Sequence, residues 1–457
     1  MTPDLRDQRS DVRGQRTATA SVEPAARREG ERGGTDDRIE DREEPGITGR
    51  QSQISNQQTV VGIALLTGGG DKPYALGMAA ALTSAGVDVD FIGSDDLSVP
   101  ELLNNPRVNF RNLRGDQRSE ASLAAKIARV AIYYGRLIRF AATAKPTIFH
   151  ILWNNKIEFF DRTLLMLYYK LLGKKIALTA HNVNIGLRDS NDSWLNRLSL
   201  KFQYKLSDHI FVHTEKMKRH LASQFRISKV KLTVIPFGIN NTVPNTALTT
   251  SEAKGQLSLN SSDKTMLFFG NIAPYKGLEY LIAAFTKVAT EDNKYRLVIV
   301  GKPKRCEDYW NQIRLSISRS GLRDRIIEKI EYVPDEETEL YFKAADVLIL
   351  PYTHVFQSGV LFLGYSFGLP AIAADVGTLK EEIIEGQTGF VFKPQDPSDL
   401  AKTIRRYFAS ELFHELESRR AQIKQYANDR YSWSKVAAIT TAVYSNILRR
   451  QARLRAG

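Results

Sequence analysis

Lys276 stands at a place where stability alone gives no reason for a cation. In Gly270-Asn271-Ile272-Ala273-Pro274-Tyr275-Lys276-Gly277-Leu278-Glu279 an apolar run ends in glycine, a turn carries the lysine, and a helix is expected to begin near Gly277. The unpaired amides at a helix start favour negative charge. The lysine makes sense there if an anion binds, with Lys276 as a point charge on a diphosphate. A second stretch of this kind is Gln357-Ser358-Gly359-Val360, continuing through Leu361 to Gly368-Leu369-Pro370. The run Ala345–Pro351 before it and Ala371–Ala374 after it read as strands. Strand, Gly-containing turn, helix and strand form a parallel crossover unit. Its turn falls at the carboxyl end of a strand, where open α/β sheets bind ligands. The plainer reading is that Ser358-Gly359 caps the helix and does nothing more.

A third glycine turn, Thr67-Gly68-Gly69-Gly70-Asp71-Lys72-Pro73-Tyr74, follows the β-branched run Thr59–Leu66 and precedes an apolar helix from Ala75 to Ala85. Such glycines let backbone amides approach a phosphate at a helix N-terminus. The spacing is not G-x-G-x-x-G, so it fails as a dinucleotide fingerprint. His181 follows the strand Lys175–Ala180 and so lies at a carboxyl end. His150 lies inside the run Thr147–Trp153 and reads as a core histidine.

These turns are positioned by two successive α/β alternations, which imply parallel sheets. The expected divisions are a disordered tail at 1–57, a first Rossmann-like domain at 58–240 and a second at 241–425. A C-terminal helical segment, 426–457, is expected to pack back toward the first domain. The tail is rich in Arg, Asp, Glu, Gly and Gln and cannot bury enough apolar surface to offset its ordering entropy. Pro236 to about Lys264 reads as a linker with a short helix. Two long helices are expected at Gln117–Ala144 and Phe159–Lys175, both mixing apolar residues with Lys and Arg. They suit either the cover of a core or attachment to an anionic membrane surface.

The 457 residues, 42% hydrophobic, suffice for two cores. A formal charge of +13 points to an anionic partner. The single cysteine, Cys306, excludes an intramolecular disulfide and a cysteine-based zinc cluster. No secretory signal and no membrane-spanning run are evident, so a cytoplasmic protein is expected, either soluble or peripheral on the inner membrane face. Nucleic-acid binding is not expected, because no basic stretch is laced with aromatics.

Taken in order, these motifs resemble a retaining glycosyltransferase of the GT-B fold, family 4 (glycosyl transferases group 1), over roughly Val60 to Arg450. Thr179-Ala180-His181-Asn182, Val333-Pro334-Asp335-Glu336-Glu337, Asp375-Val376-Gly377-Thr378, Gly386-Gln387-Thr388-Gly389 and Tyr431-Ser432-Trp433 add to it. The resemblance implies an α/β fold of two Rossmann-like domains facing a central cleft. It implies a nucleotide diphosphate sugar as donor, a glycan or lipid-linked acceptor, and no cofactor or metal. His181 resembles the histidine near the transferred sugar. Gly68, Gly69, Gly70, Asn271, Lys276, Gly277, Gln357, Ser358, Gly359 and Val360 fall at donor-binding positions. The chain departs from the family at two acids of a Glu-x₇-Glu pattern, replaced by Val355 and Leu363, with Gln357 as the nearest polar residue. Asn271 stands where arginine is usual, so either the donor is held differently or a second basic residue such as Lys72 or Lys302 compensates. Two other readings compatible with these departures are a nucleotide-sugar-binding scaffold subunit without catalysis and another GT-B enzyme such as an epimerase.

Overall fold

The computed structural model describes residues 61–117, 122–184, 192–239, 243–304 and 306–456. The expected disordered tail lies outside the described residues. Seven strands form the first sheet: β1 (Gly62–Leu66), β2 (Asp88–Gly93), β3 (Val108–Asn112), β4 (Ile148–Ile151), β5 (Lys175–Ala180), β6 (His209–Val212) and β7 (Leu232–Val234). Six form the second: β8 (Lys264–Phe269), β9 (Tyr295–Val300), β10 (Ile326–Lys329), β11 (Val347–Leu350), β12 (Ala371–Ala374) and β13 (Gly389–Phe392). All pairs are parallel, in the orders β3-β2-β1-β4-β5-β6-β7 and β10-β9-β8-β11-β12-β13. The central strands are buried along their whole length, so they read as unbroken apolar runs. In each sheet the order reverses beside the first strand, between β1 and β4 and between β8 and β11. A crevice at the carboxyl ends opens at such a reversal.

β3 has no counterpart in the sequence reading. It is an edge strand whose Asn109, Arg111 and Asn112 are exposed, so it carries no apolar run to betray it. The first long helix is also shorter than expected. Helices used below are α1 (Lys72–Ser84), α2 (Leu123–Thr143), α3 (Trp194–Leu206), α4 (Glu215–Gln224), α5 (Thr250–Gln256), α6 (Leu278–Ala289), α7 (Gly359–Ser366), α8 (Leu416–Tyr431) and α9 (Trp433–Ala456). Ser122 starts α2 by accepting the Ala125 amide. The second basic stretch is not one helix: Glu158–Phe160 and Met166–Leu171 flank a π turn at Asp161–Leu165. Asp161 is buried there and accepts from Tyr134 Oη, the Asn155 amide and Asn155 Nδ2.

The short helix expected in the linker, α5, belongs to the second domain. Buried Lys254 reaches both carboxylate oxygens of Asp346 at 3.0 Å and the Asp263 carbonyl at 2.8 Å. A charge removed from water needs such a partner. α9 lies against α1 of the first domain, with Val436, Val443 and Tyr444 in its core. His150 is fully buried between Tyr444 Oη (2.5 Å) and Thr179 Oγ1 (2.8 Å), and burial lowers its pKa to about 3.

Candidate functional site

The second domain builds one wall from the ends of β8 and β11. Gly277, at φ +65°, lets the turn after β8 press onto the end of β11; a Cβ there would lie 2.0 Å from the Pro351 carbonyl oxygen. That turn buries Lys276, only 6% exposed, and sets Nζ 5.0 Å from the centre of the Tyr352 ring. A Cβ on Gly270 would stand 2.9 Å from Nζ and 3.5 Å from Val360. The ammonium therefore sits at the reversal point of the sheet, beside the start of α7. Ser358 does not cap α7: it makes no side-chain cap bond, and its hydroxyl meets Tyr352 Oη at 3.3 Å. The plain capping reading of Ser358 is thus replaced by an uncapped helix start facing a buried cation. Gln357 Oε1 is enclosed with no hydrogen-bond partner among the described residues. Asn271 is exposed. Val355 and Leu363 are buried in the hydrophobic core of the second domain. Lys302 is exposed after β9, whereas Lys72 lies near Asp335 of the second domain. Burial and Glu336 raise the Asp335 carboxyl, and the charge of Lys72 works against them.

The first domain builds the other wall from the ends of β1, β4 and β5. Its glycine turn is fitted to two side chains. A Cβ on Gly70 would fall 2.0 Å from the Trp153 ring, and one on Gly69 only 1.8 Å from Arg114 Nη1. Trp153 in turn stacks flat on His181, with ring centres 4.2 Å apart and planes 1° from parallel. Tyr74 meets His181 edge-on at 4.6 Å. His181 Nδ1 is 3.1 Å from His213 Nε2, and His213 Nδ1 faces the Ile235 carbonyl at 3.3 Å. The carbonyl can only accept, so His213 donates from Nδ1 and receives at Nε2. His181 therefore carries its proton on Nδ1, and Nε2 holds a lone pair. Burial, then His213 and His150, hold the His181 pKa well below the usual histidine range, so the ring is neutral. Its Nε2 is enclosed without a partner among the described residues.

Phe237 joins the walls. Its ring lies 6.2 Å from His181 on one side and 5.5 Å from Phe362 of α7 on the other. A Cβ on Gly359 would approach it to 3.8 Å. Away from the site, Lys216 of α4 donates to the Gly377 carbonyl at 3.1 Å. The structure so brings together Gly68, Gly69, Gly70, His181, Lys276, Gly277, Ser358, Gly359 and Val360, with Gln357 adjoining α7 and Asn271 at the surface. Sequence reasoning missed Trp153, Arg114, Phe237 and Tyr352. Trp153 and Tyr352 had a signal, since each comes just after a strand that borders a reversal point; Phe237 had none.

Two family models match the chain: Glycosyltransferase Family 4 over residues 68–242 and Glycosyl transferases group 1 over residues 263–410. Together they span both domains, and the chain belongs to the family 4, group 1 glycosyltransferases with the GT-B fold. It is 27% identical over 262 residues to a D-inositol 3-phosphate glycosyltransferase of Streptomyces bingchenggensis, covering 54% of this chain and 55% of that one. The chain thus spans little more than half the length of the curated relatives it first matches. Among solved structures it resembles sucrose-phosphate synthase from Thermosynechococcus elongatus, with a TM-score of 0.69 and 18% identity over 85% of this chain and 100% of the other. It also resembles Anabaena HepE in complex with UDP-glucose, with a TM-score of 0.65 and 16% identity over 84% and 99% of the two chains. Among the described residues no helix is long and apolar enough to cross a membrane.

Proposed function

We propose that this chain is a retaining glycosyltransferase that moves a sugar from a nucleotide diphosphate to a lipid-linked or polysaccharide acceptor. One observation carries the reading: the Lys276 ammonium is buried at a sheet reversal point beside the uncapped start of α7. A cation and outward amides together form a seat for a diphosphate. As the bond between the sugar's anomeric carbon and the diphosphate oxygen breaks, the leaving group gains negative charge, which Lys276 and the amides near Ser358 and Gly359 stabilise. An acceptor oxygen forms the new bond on the same face, and its proton passes to the departing phosphate oxygen. No carboxylate base is required, so Val355 and Leu363 do not block the reaction. No metal is required either, since Lys276 supplies the charge. Gln357 and the Gly68–Gly70 turn complete the donor's surroundings, and neutral His181 offers Nε2 to a sugar hydroxyl. The UDP-glucose complex of the similarly folded Anabaena protein supports a nucleotide sugar as donor.

The acceptor reading draws on the first domain. Ile127 and Ile132 of α2, Phe159, Leu164 and Leu171, and Trp194 and Phe202 of α3 are all exposed large apolar side chains. Exposed Lys126, Arg136 and Arg139 accompany them. Apolar and basic residues on one domain suit peripheral contact with an anionic cytoplasmic membrane face.

Thermal shifts with UDP, GDP and ADP and their sugars identify the donor, since a ligand of the folded state raises its apparent stability. Lys276→Ala is expected to weaken that nucleotide diphosphate by at least about tenfold, the scale of one lost charge-assisted contact. Unchanged affinity would sink the assignment. Turnover is expected to survive EDTA, and its loss on chelation would remove the metal-free reading. Tight nucleotide binding without any turnover would instead identify a binding subunit.

A further inference from the structure

We infer that Arg114 forms an anion site on the first-domain wall and that the acceptor carries a phosphate group held there. The inference rests on the glycosyltransferase reading and names the class of its acceptor.

Arg114 follows β3 at the carboxyl edge of the sheet. One side of its guanidinium lies against the glycine turn, where a Cβ on Gly69 would be 1.8 Å from Nη1 and 2.4 Å from Nη2. On another side the Tyr133 ring centre is 5.6 Å away. Tyr133 is itself held, because its hydroxyl meets Asn155 Oδ1 at 2.5 Å. Asn155 is fixed in turn by Asp161, through its amide at 2.8 Å and its Nδ2 at 3.1 Å. The cation is therefore built into its place from two directions.

What it lacks is an anion. Nη1 is enclosed without a hydrogen-bond partner, and no carboxylate pairs with Arg114 among the described residues. The nearby acid, Asp161, already accepts three hydrogen bonds from Tyr134 and Asn155. An enclosed donor left unpaired is costly, and a bound oxyanion removes that cost. The planar fork of arginine fits a phosphate through two parallel bonds. Beside it, Gly68 and Gly69 have positive φ of 57° and 76°, and of the three turn glycines only Gly70 donates its amide to a described backbone acceptor, Thr67 O at 3.1 Å. Successive free amides of this kind form an anion-binding hollow.

The turn has two sides. Gly70 abuts Trp153, which stacks on His181 beside the reacting sugar; Gly69 abuts Arg114. The donor diphosphate is assigned to Lys276 on the opposite domain. A phosphate at Arg114 is thus a second anion, on the Gly69 side of the turn whose Gly70 side meets Trp153 and, through it, His181.

The test uses the full chain. Inorganic phosphate is titrated against Lys276→Ala, in which the donor seat is weakened, and against Lys276→Ala combined with Arg114→Gln, following the thermal transition. Phosphate is expected to stabilise the first and to bind the second at least fivefold more weakly; equal binding overturns the site. Arg114→Lys keeps the stem over Tyr133 and a charge but loses the fork, so it folds and falls between. UDP or GDP binding is expected to be unchanged in Arg114→Gln alone, and a parallel loss there would place Arg114 with the donor and overturn the inference. Failure of the underlying reading shows separately, as the absence of any nucleotide shift in the unaltered chain. Transfer of labelled sugar to D-inositol 3-phosphate, and to phosphatidylglycerol in phosphatidylcholine vesicles, distinguishes a soluble phosphate from a lipid headgroup. For whichever is glycosylated, Arg114→Gln is expected to lower kcat/KM at least tenfold with donor hydrolysis unaltered. Equal transfer by both chains overturns it.

Discussion

His181 is a neutral ring with one lone pair and, among the described residues, no donor to fill it. Its tautomer follows from the Ile235 carbonyl through His213, so Nε2 is set to accept a hydrogen bond and carries no proton to give. His181→Phe keeps the stack on Trp153 and the edge contact with Tyr74 while removing Nε2. It is expected to lower kcat by about ten- to a hundredfold, the range for one lost polar contact in a transition state, with nucleotide affinity unchanged. A loss confined to affinity would move His181 to ground-state binding. Three further histidines make the first domain sensitive to acid. Burial lowers His150 to about 3 and His209 and His213 to about 4. In the unfolded chain they take up protons near pH 6.5, so their contribution is complete above that value and is lost as pH falls toward 4. Urea midpoints are expected to drop across that window, and a flat profile would contradict the burial.

At the scale of elements, the turn between β8 and α6 holds Lys276 in its buried place. Gly277 has φ +65° and no room for a Cβ beside Pro351 O. Gly277→Ala is expected to destabilise the fold by more than about 2 kcal/mol, from left-handed strain plus the clash, and to weaken nucleotide binding by displacing Lys276. Chemical denaturation and thermal shifts report the two effects independently. This turn was readable from sequence because its signals are local: an apolar run, a glycine, and a charge unsuited to a helix start. The π turn at Asp161–Leu165 was not, because it depends on Asp161 being held by Tyr134, 27 positions earlier in the chain.

At the scale of the whole molecule, Glu382 guards the point where the chain leaves the second domain for the first. Buried Glu382 Oε2 accepts from Tyr431 Oη at the end of α8, Tyr431 packs on Phe362 at 4.6 Å, and Trp433 begins α9 two residues later. Burial chiefly pushes the Glu382 carboxyl up to about 7, with Arg430 opposing. The folded state holds this proton more tightly than the unfolded chain. Its contribution is therefore full below about pH 4.5 and lost as pH rises through 7, on the order of 3 kcal/mol in all. Glu382→Gln keeps an acceptor for Tyr431 and is expected to flatten the decline in stability between pH 5 and 8. An unchanged profile would mean the carboxyl titrates normally. The exposed apolar helices of the first domain make a further prediction at this scale. Binding to vesicles containing phosphatidylglycerol is expected to exceed binding to phosphatidylcholine, and to fall with salt. Equal binding to both would remove the electrostatic part.

By itself the sequence determined most of the alternation of strands and helices, without β3, and the placement of Lys276, His181 and the glycine turns at carboxyl ends. Each of these rests on periodicity or on turn chemistry among neighbours a few residues apart, which the chain records directly. The two reversal points came only with the strand order of the folded sheets. Only the tertiary structure decided that Trp153 covers His181, that Phe237 links His181 to α7, that Val355 and Leu363 fill core space, and that Arg114 lies enclosed against Gly69. Those contacts join residues distant in sequence, and each leaves in the chain no more than one ordinary residue. Burial and charge at such points are properties of the assembled domains, because desolvation depends on every element that closes over the group.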